Sequence, residues 1–205
     1  MSDLKLSRKK RERLGHRNEI LEASLRLFSD KGYNNVSMQS IADASEFATG
    51  TLYNFFPSKD SLFHEILINC GDRVMATIIP ILDSSASEDV RIREFIRVHE
   101  AILRDNHREV RLYYLVVKQR HSVETTDFGR GAESYHELIE SKLSETLDSG
   151  ISKGIFRKMN SATMALALRS MLEAIAFSRV GEGDLDDIGV HVRDIEDLFM
   201  AGILA

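Results

Sequence analysis

Val36-Ser-Met-Gln-Ser-Ile-Ala-Asp-Ala-Ser-Glu-Phe-Ala-Thr-Gly-Thr-Leu-Tyr-Asn-Phe-Phe-Pro-Ser-Lys-Asp-Ser-Leu-Phe63 reads as two short helices and the start of a third. Ser37 is placed to cap the first, in which Met38, Ile41 and Ala42 recur at helical spacing. Ser45 and Glu46 break it, and a second helix follows near Ala48 to Phe55. Two helices joined in this way form a helix-turn-helix. The second begins with the small polar run Ala48, Thr49, Gly50, Thr51, so its backbone can come close to nucleic acid, and Tyr53 and Asn54 bring hydrogen-bonding groups one turn later. Pro57 disfavours helix at Phe56, while Ser58 and Asp60 supply a cap and a first-turn negative charge for the third helix.

Working outward, Ile20, Ala23, Leu27 and Phe28 form one apolar face of a helix over about Arg8 to Lys31, with Gly32 where a left-handed cap is wanted. This helix is expected to brace the helix-turn-helix. On the other side, Leu62, Ile66, Cys70, Val74 and Ile78 recur every fourth residue, which carries the third helix toward Pro80.

At these residues the chain resembles the tetracycline-repressor (TetR) family of DNA-binding regulators. Gly50-Thr51-Leu52-Tyr53, Phe55-Phe56 and Ser58-Lys59-Asp60 match the family's pattern, as does the lead-in from Ile20 to Gly32. The resemblance implies an all-α chain with an N-terminal three-helix helix-turn-helix domain, residues 1–60, and a larger helical ligand-binding and dimerisation domain, residues 61–205. It implies Ser37, Thr51, Tyr53 and Lys59 as phosphate contacts, and Thr49, Gly50 and Asn54 as groups near base edges. Two positions depart from the pattern: Glu46 stands where the family usually has the turn glycine, and Ala48 where it often has a capping serine.

The chain of 205 residues is 43% apolar, enough for a sizeable core, and its 2 prolines favour long helices. The single cysteine, Cys70, excludes an intramolecular disulfide and a multi-cysteine zinc site, which fits a reducing cytoplasm. No run approaches the ~20 apolar residues of a membrane span, and no signal peptide is visible. A cytoplasmic location without membrane attachment is expected. The net charge of −5 is unevenly divided: residues 1–60 hold 10 Lys+Arg against 8 Asp+Glu, or +2, which leaves −7 for the rest. Lys5, Arg8, Lys9, Lys10, Arg11, Arg13 and Arg17 crowd the N-terminus, where they can neutralise phosphates. Gln39 is a further candidate for phosphate.

Beyond the polar break from Asp83 to Asp89, Ile92, Phe95, Ile96, His99, Ile102 and Leu103 share one helical face. Val110, Tyr113, Tyr114, Val117 and His121 share another, across Asn106. Ser122 to Gly131 reads as a loop. Tyr135, Leu138, Ile139, Leu143 and Leu147 mark a helix that ends near Gly150 or Gly154. In residues 162–177, 12 of 16 residues are apolar, too many for a helix with one wet face. This helix and a last one through Ile188, Val192, Ile195, Leu198, Phe199 and Ile203 are expected to form a four-helix homodimer contact. Leu168, Met171, Leu172, Ile175, Ile195, Leu198 and Phe199 are its candidate residues.

His99, Tyr113, Tyr114 and His121 lie on otherwise apolar stripes. With Cys70, Phe95 and Arg120 they are the candidate lining of an apolar pocket with a few polar anchors. For any one of them, an ordinary satisfied core position is the competing reading. Metal or catalytic chemistry is not expected: there is no His-Glu-x-x-His, no Gly-rich phosphate loop, and His136 with Glu140 reads as a lone surface pair. No cofactor is expected. The partners anticipated are double-stranded operator DNA, a small apolar effector and a second copy of the chain. A DNA-binding regulator that is constitutive or controlled by a partner protein, or a helical enzyme or small-molecule carrier, are the alternative readings.

Overall fold

Local signals set the helix ends. Ser7 accepts a hydrogen bond from the Lys10 N–H and opens α1, Arg8–Lys31, which stops at Gly32, where φ is +80°. In the left-handed region a residue with a Cβ is strained, so glycine suits this exit. A 3₁₀ turn, Tyr33–Asn35, leads to α2, Met38–Ala44, capped reciprocally by Ser37 and Ser40. The helices that follow are α3, Thr49–Phe55; α4, Lys59–Leu82; α5, Glu88–Asp105; α6, His107–Gln119; α7, Asp127–Ser152; α8, Ser161–Glu182; and α9, Ile188–Ile203. The computed structural model describes residues 7–119, 127–182 and 185–205, with side chains over 7–113, 134–180 and 185–205. Among the described residues the fold is all-α, and the one extended pairing is an isolated bridge between Phe156 and Leu204.

Two compact units divide within α4: Met1–Leu67 and Ile68–Ala205. The first is built on Ile20, Phe28, Ile41, Leu52, Phe56 and Leu62, all with at most 1% of their surface exposed. An aromatic cluster joins Phe28, Tyr33 and Phe63, with Tyr33 and Phe63 edge to face at 5.0 Å. Such contacts stabilise beyond the apolar area they bury.

In the second unit α8 packs against α6, α7 and α9, and α5 against α7 and α9. Its core joins Ile78 and Leu82 of α4 to Ile92, Phe95 and Ile96 of α5, Leu143 and Leu147 of α7, Leu168 and Leu172 of α8, and Ile195 and Phe199 of α9. After α7 the chain turns through Gly154, at φ +73°, and lays Phe156 over Gly150 so closely that a Cβ there would lie 2.2 Å from the ring. Arg157 then donates to the carbonyls of Ala201 and Leu204, closing the end of α9.

Two expectations are corrected. Residues 127–131, expected in a loop, are helical: they open α7, a 26-residue helix in which cooperative propagation outweighs the roughly 1 kcal/mol that each glycine costs. α4 runs toward Pro80 as expected and ends just past it at Leu82; inside the helix the proline has no N–H to give the Ala76 carbonyl. Leu168, Leu172, Ile195 and Phe199, expected at a subunit interface, are 0%, 4%, 7% and 6% exposed and belong to the chain's own core. Met171 and Ile175 pack partly against that core, while Leu198 is 67% exposed.

A buried carboxylate ties α5 to α7. Glu88 accepts from Lys153, Ser149 and Arg91, and the hydrogen bonds from Lys153 and Ser149, with the Lys153 charge, pull its pKa down to about 2. A folded-state pKa below the unfolded one gives stability that is fully present above about pH 5 and is lost as pH falls toward 2. We expect Glu88→Gln to lower stability at pH 7 by on the order of 2 kcal/mol, discounted from the buried-pair value because Lys153 is solvated. It should also flatten the pH dependence of the urea midpoint between pH 5 and pH 3. An unchanged slope there would mean that the pairing contributes nothing.

Candidate nucleic-acid interface

α3 is only seven residues long, so its position depends on what holds it rather than on its own propensity. Its buried side is Leu52, and Phe56 follows in the core. Its other side is open: Gly50, Tyr53 and Asn54 are exposed, Tyr53 by 51%. A Cβ at Gly50 would meet nothing within 4 Å, so the unit's own packing does not require glycine there. Its bareness leaves room for a close approach from outside, at a cost to the helix of about 1 kcal/mol. Ala48 caps α3 without a side-chain hydrogen bond, which leaves first-turn N–H groups available to an acceptor from solvent.

The sequence-predicted residues divide into two sets. Ser37, Gln39, Gly50, Tyr53 and Asn54 are exposed, Thr49 and Thr51 half-buried. Ser37 accepts from the Ser40 N–H and so keeps its own O–H for an outside acceptor. Thr49 donates to Gln39 at 2.7 Å, and Gln39 donates to Asp43 at 2.8 Å.

Arg17 and Lys59, expected at DNA, are turned inward instead. The Arg17 guanidinium forms a bidentate pair with Glu65, donates to the Phe55 carbonyl at 3.0 Å and lies 4.3 Å from the centre of the Phe56 ring. Lys59 donates to the carbonyls of Tyr33 and Val36, each at 2.9 Å, and sits over the Tyr33 ring. Both cations satisfy carbonyls that local secondary structure leaves open, which fixes the ends of α3 and of the turn before α2. In the basic stretch that opens α1, Arg8, Lys9, Lys10, Arg11 and Arg13 are exposed, with Arg13 lying 5.6 Å from the centre of the Phe55 ring and no acidic residue in the helix's first turn. Lys5 lies outside the described residues.

Glu46 takes φ +58°, the left-handed conformation for which the resemblance leads one to expect glycine. Its carboxylate is exposed at the turn into α3.

Of the residues expected to line a pocket, Phe95 is 1% exposed within the core, and its ring meets His99 edge to face at 4.8 Å. His99 Nδ1 is 2.7 Å from the Phe95 carbonyl, and burial pushes its pKa down to about 4, so the imidazole is neutral at pH 7. Phe95 is a core position and His99 is half-buried, and both have partners inside the chain. Cys70 is buried 3.8 Å from Asn106 Oδ1, and burial with the nearby Glu109 pushes its thiol up to about 12. Tyr113 is half-buried, 5.8 Å from Phe177, with its pKa raised by burial and by Glu173. Tyr114, Arg120 and His121 lie outside the residues whose side chains are described.

Beside Tyr113 the structure shows a group that sequence reasoning missed. Arg169 of α8 bridges Glu140 of α7 and Glu173 of its own helix, each at 2.6 Å, and His136 Nε2 lies 3.2 Å from Glu173. His136 and Glu140, one turn apart on α7, therefore both turn to α8 and do not pair with each other. Among the described residues no helix is long and apolar enough to cross a membrane.

Residues 20–66 match the family described as bacterial regulatory proteins, tetR family. The HTH-type transcriptional repressor KstR2 of Rhodococcus jostii is 28% identical over 143 residues, covering 70% of this chain and 69% of the relative. UidR of Escherichia coli, an HTH-type transcriptional regulator, is 29% identical over 86 residues, 42% of this chain and 44% of its own. Among solved structures, the ketosteroid transcriptional regulator KstR2 of Mycobacterium tuberculosis superposes with a TM-score of 0.75 at 20% identity, over 92% of this chain and 95% of that one. The fatty acid degradation regulator FadR of Bacillus halodurans gives 0.76 at 18% identity, over 91% and 95%.

Proposed function

We infer, from a chain that belongs to the TetR family of bacterial DNA-binding transcriptional regulators and is not an enzyme, that it is a repressor released from a pseudo-palindromic operator by a small apolar effector. The observation that carries the reading is the open side of α3. Thr49, Gly50, Tyr53 and Asn54 face away from the unit's core while Arg17 holds the C-terminal end of the helix. Such a helix fits a major groove, with Ser37, Thr51 and Tyr53 on phosphates and Thr49, Gly50 and Asn54 near base edges. The protein acts in the cytoplasm, where its DNA is.

Two units on successive grooves require a dimer. We assign its surface to the outward sides of α8 and α9, where Leu166, Val190 and Leu198 are 48%, 44% and 67% exposed. A second copy would bury them in a four-helix contact.

For the effector, support comes from the KstR2 and FadR structures, named for ketosteroids and for fatty acid degradation, both apolar compound classes. We place it in the second unit beside Tyr113, where an aromatic face adjoins the Arg169, Glu140, Glu173 and His136 group. Phe95 is left to the core.

The test begins with selection of binding sites from random DNA. A palindrome is expected, and if six phosphates are neutralised, affinity should fall by about 10³ between 50 and 200 mM salt. Fatty-acyl and steroid compounds are then screened by thermal shift, and each hit is carried into operator titrations. Stabilising hits that leave operator affinity unchanged would remove the effector from this reading, and failure to select any sequence would remove the operator.

A further inference from the structure

The hydrogen bonds of Gln39 define what its amide has left to offer. Asp43, one turn along α2, is a carboxylate and can only accept, so the group facing it at 2.8 Å must be the Gln39 Nε2 amine. The Gln39 Oε1 therefore faces Thr49, the first residue of α3, and the Thr49 hydroxyl must be the donor in that 2.7 Å contact. Hydrogen bonding thus runs in one direction, Thr49 to Gln39 to Asp43, and the amide cannot flip without setting its oxygen against a carboxylate. One Oε1 lone pair and one Nε2 N–H remain unused. Both Gln39 and Asp43 are exposed, beside the first turn of the helix assigned to the groove.

A donor and an acceptor on one amide are complementary to the N7 acceptor and N6 amine that adenine presents in the major groove. Guanine presents two acceptors there, and cytosine one donor. We propose that Gln39 reads an adenine in each operator half-site, with Asp43 and Thr49 as positioning residues that fix the orientation of its amide. Holding the side chain before DNA arrives reduces the rotamer entropy lost on contact. The inference rests on the DNA-binding reading above and adds to it the identity of one base.

Binding sites selected from random DNA by the wild-type full-length protein and by variants separate the two. Wild type should prefer A·T at one position of each half-site by roughly ten- to a hundredfold. Gln39→Ala should level that position and leave the others as they were. Gln39→Arg should move its preference to guanine, since a guanidinium pairs with two acceptors. Asp43→Asn and Thr49→Val should each weaken the preference at the same base pair while the slope of affinity against salt stays constant. An exposed hydrogen-bonding residue without a base partner would shift no base preference in any of these variants.

If wild type selects a palindrome but Gln39→Ala and Gln39→Arg select the same one, the assignment of Gln39 is overturned and the operator reading stands. If Gln39→Ala weakens all sequences equally, Gln39 contacts phosphate and the assignment is likewise overturned. If wild type selects nothing, the DNA-binding reading itself has failed.

Discussion

Leu198→Arg is expected to give a folded monomer that no longer holds its operator, whereas Leu172→Arg is expected not to fold. Both leucines lie on the two C-terminal helices and look alike in sequence, but their surroundings are opposite. Leu172 is 4% exposed among core side chains, where an unpaired guanidinium costs more than about 4 kcal/mol, a large part of a domain's stability. Leu198 is 67% exposed, so an arginine there is solvated in the single chain and meets resistance only when a second copy covers it. Loss of the dimer removes the link between two DNA-binding units, and with it an affinity gain on the order of 10²- to 10⁴-fold. Sedimentation, thermal melting and operator titration together distinguish the outcomes. A Leu198→Arg protein that still sediments as a dimer places the interface elsewhere.

Arg17→Ala should have the next largest effect, and the way it acts identifies the role. As a phosphate contact, Arg17 would cost some affinity on every sequence and reduce the salt slope by roughly one, with the melting temperature unchanged. As the buttress seen in the structure, its loss strands the Glu65 carboxylate and the Phe55 carbonyl and empties the face of the Phe56 ring. We expect destabilisation of the N-terminal unit by about 2 to 3 kcal/mol, with operator affinity reduced and the salt slope retained. Arg17→Lys should recover little, because an ammonium cannot reproduce the bidentate fork and the stacking together. A normal melting temperature with a smaller slope would return Arg17 to the DNA surface.

The sequence shows local features well and distant ones poorly. The Ser37 cap, the break at Ser45 and Glu46 and the restart at Pro57 each depend on neighbours a few residues away, and the structure has α2, α3 and α4 beginning there. The inward roles of Arg17 and Lys59 join residues 48 and 26 apart, and no periodicity reports such a pairing. A basic residue in a basic stretch reads as a DNA contact until a distant carboxylate or carbonyl claims it. α8 poses a different difficulty: with apolar residues almost all round, its pattern cannot say which side meets its own chain. Leu168 and Leu172 turn to the core while Leu166 stays outside. The Tyr113, Arg169 and Glu173 group was hidden for the first reason again, since it is assembled from two helices far apart in the chain.

The isolation of Cys70 has a practical consequence. Its thiol is buried and pushed up to about 12, so at neutral pH almost none of it is thiolate, the form that reacts with alkylating reagents. With one cysteine in the chain, the native protein is close to a blank background for thiol chemistry. A cysteine introduced at exposed Asn54 would accept a spin label or fluorophore selectively. Two such labels in a dimer would report the spacing of the paired α3 helices as a distance distribution, with and without an effector, and without removing any native residue other than Asn54.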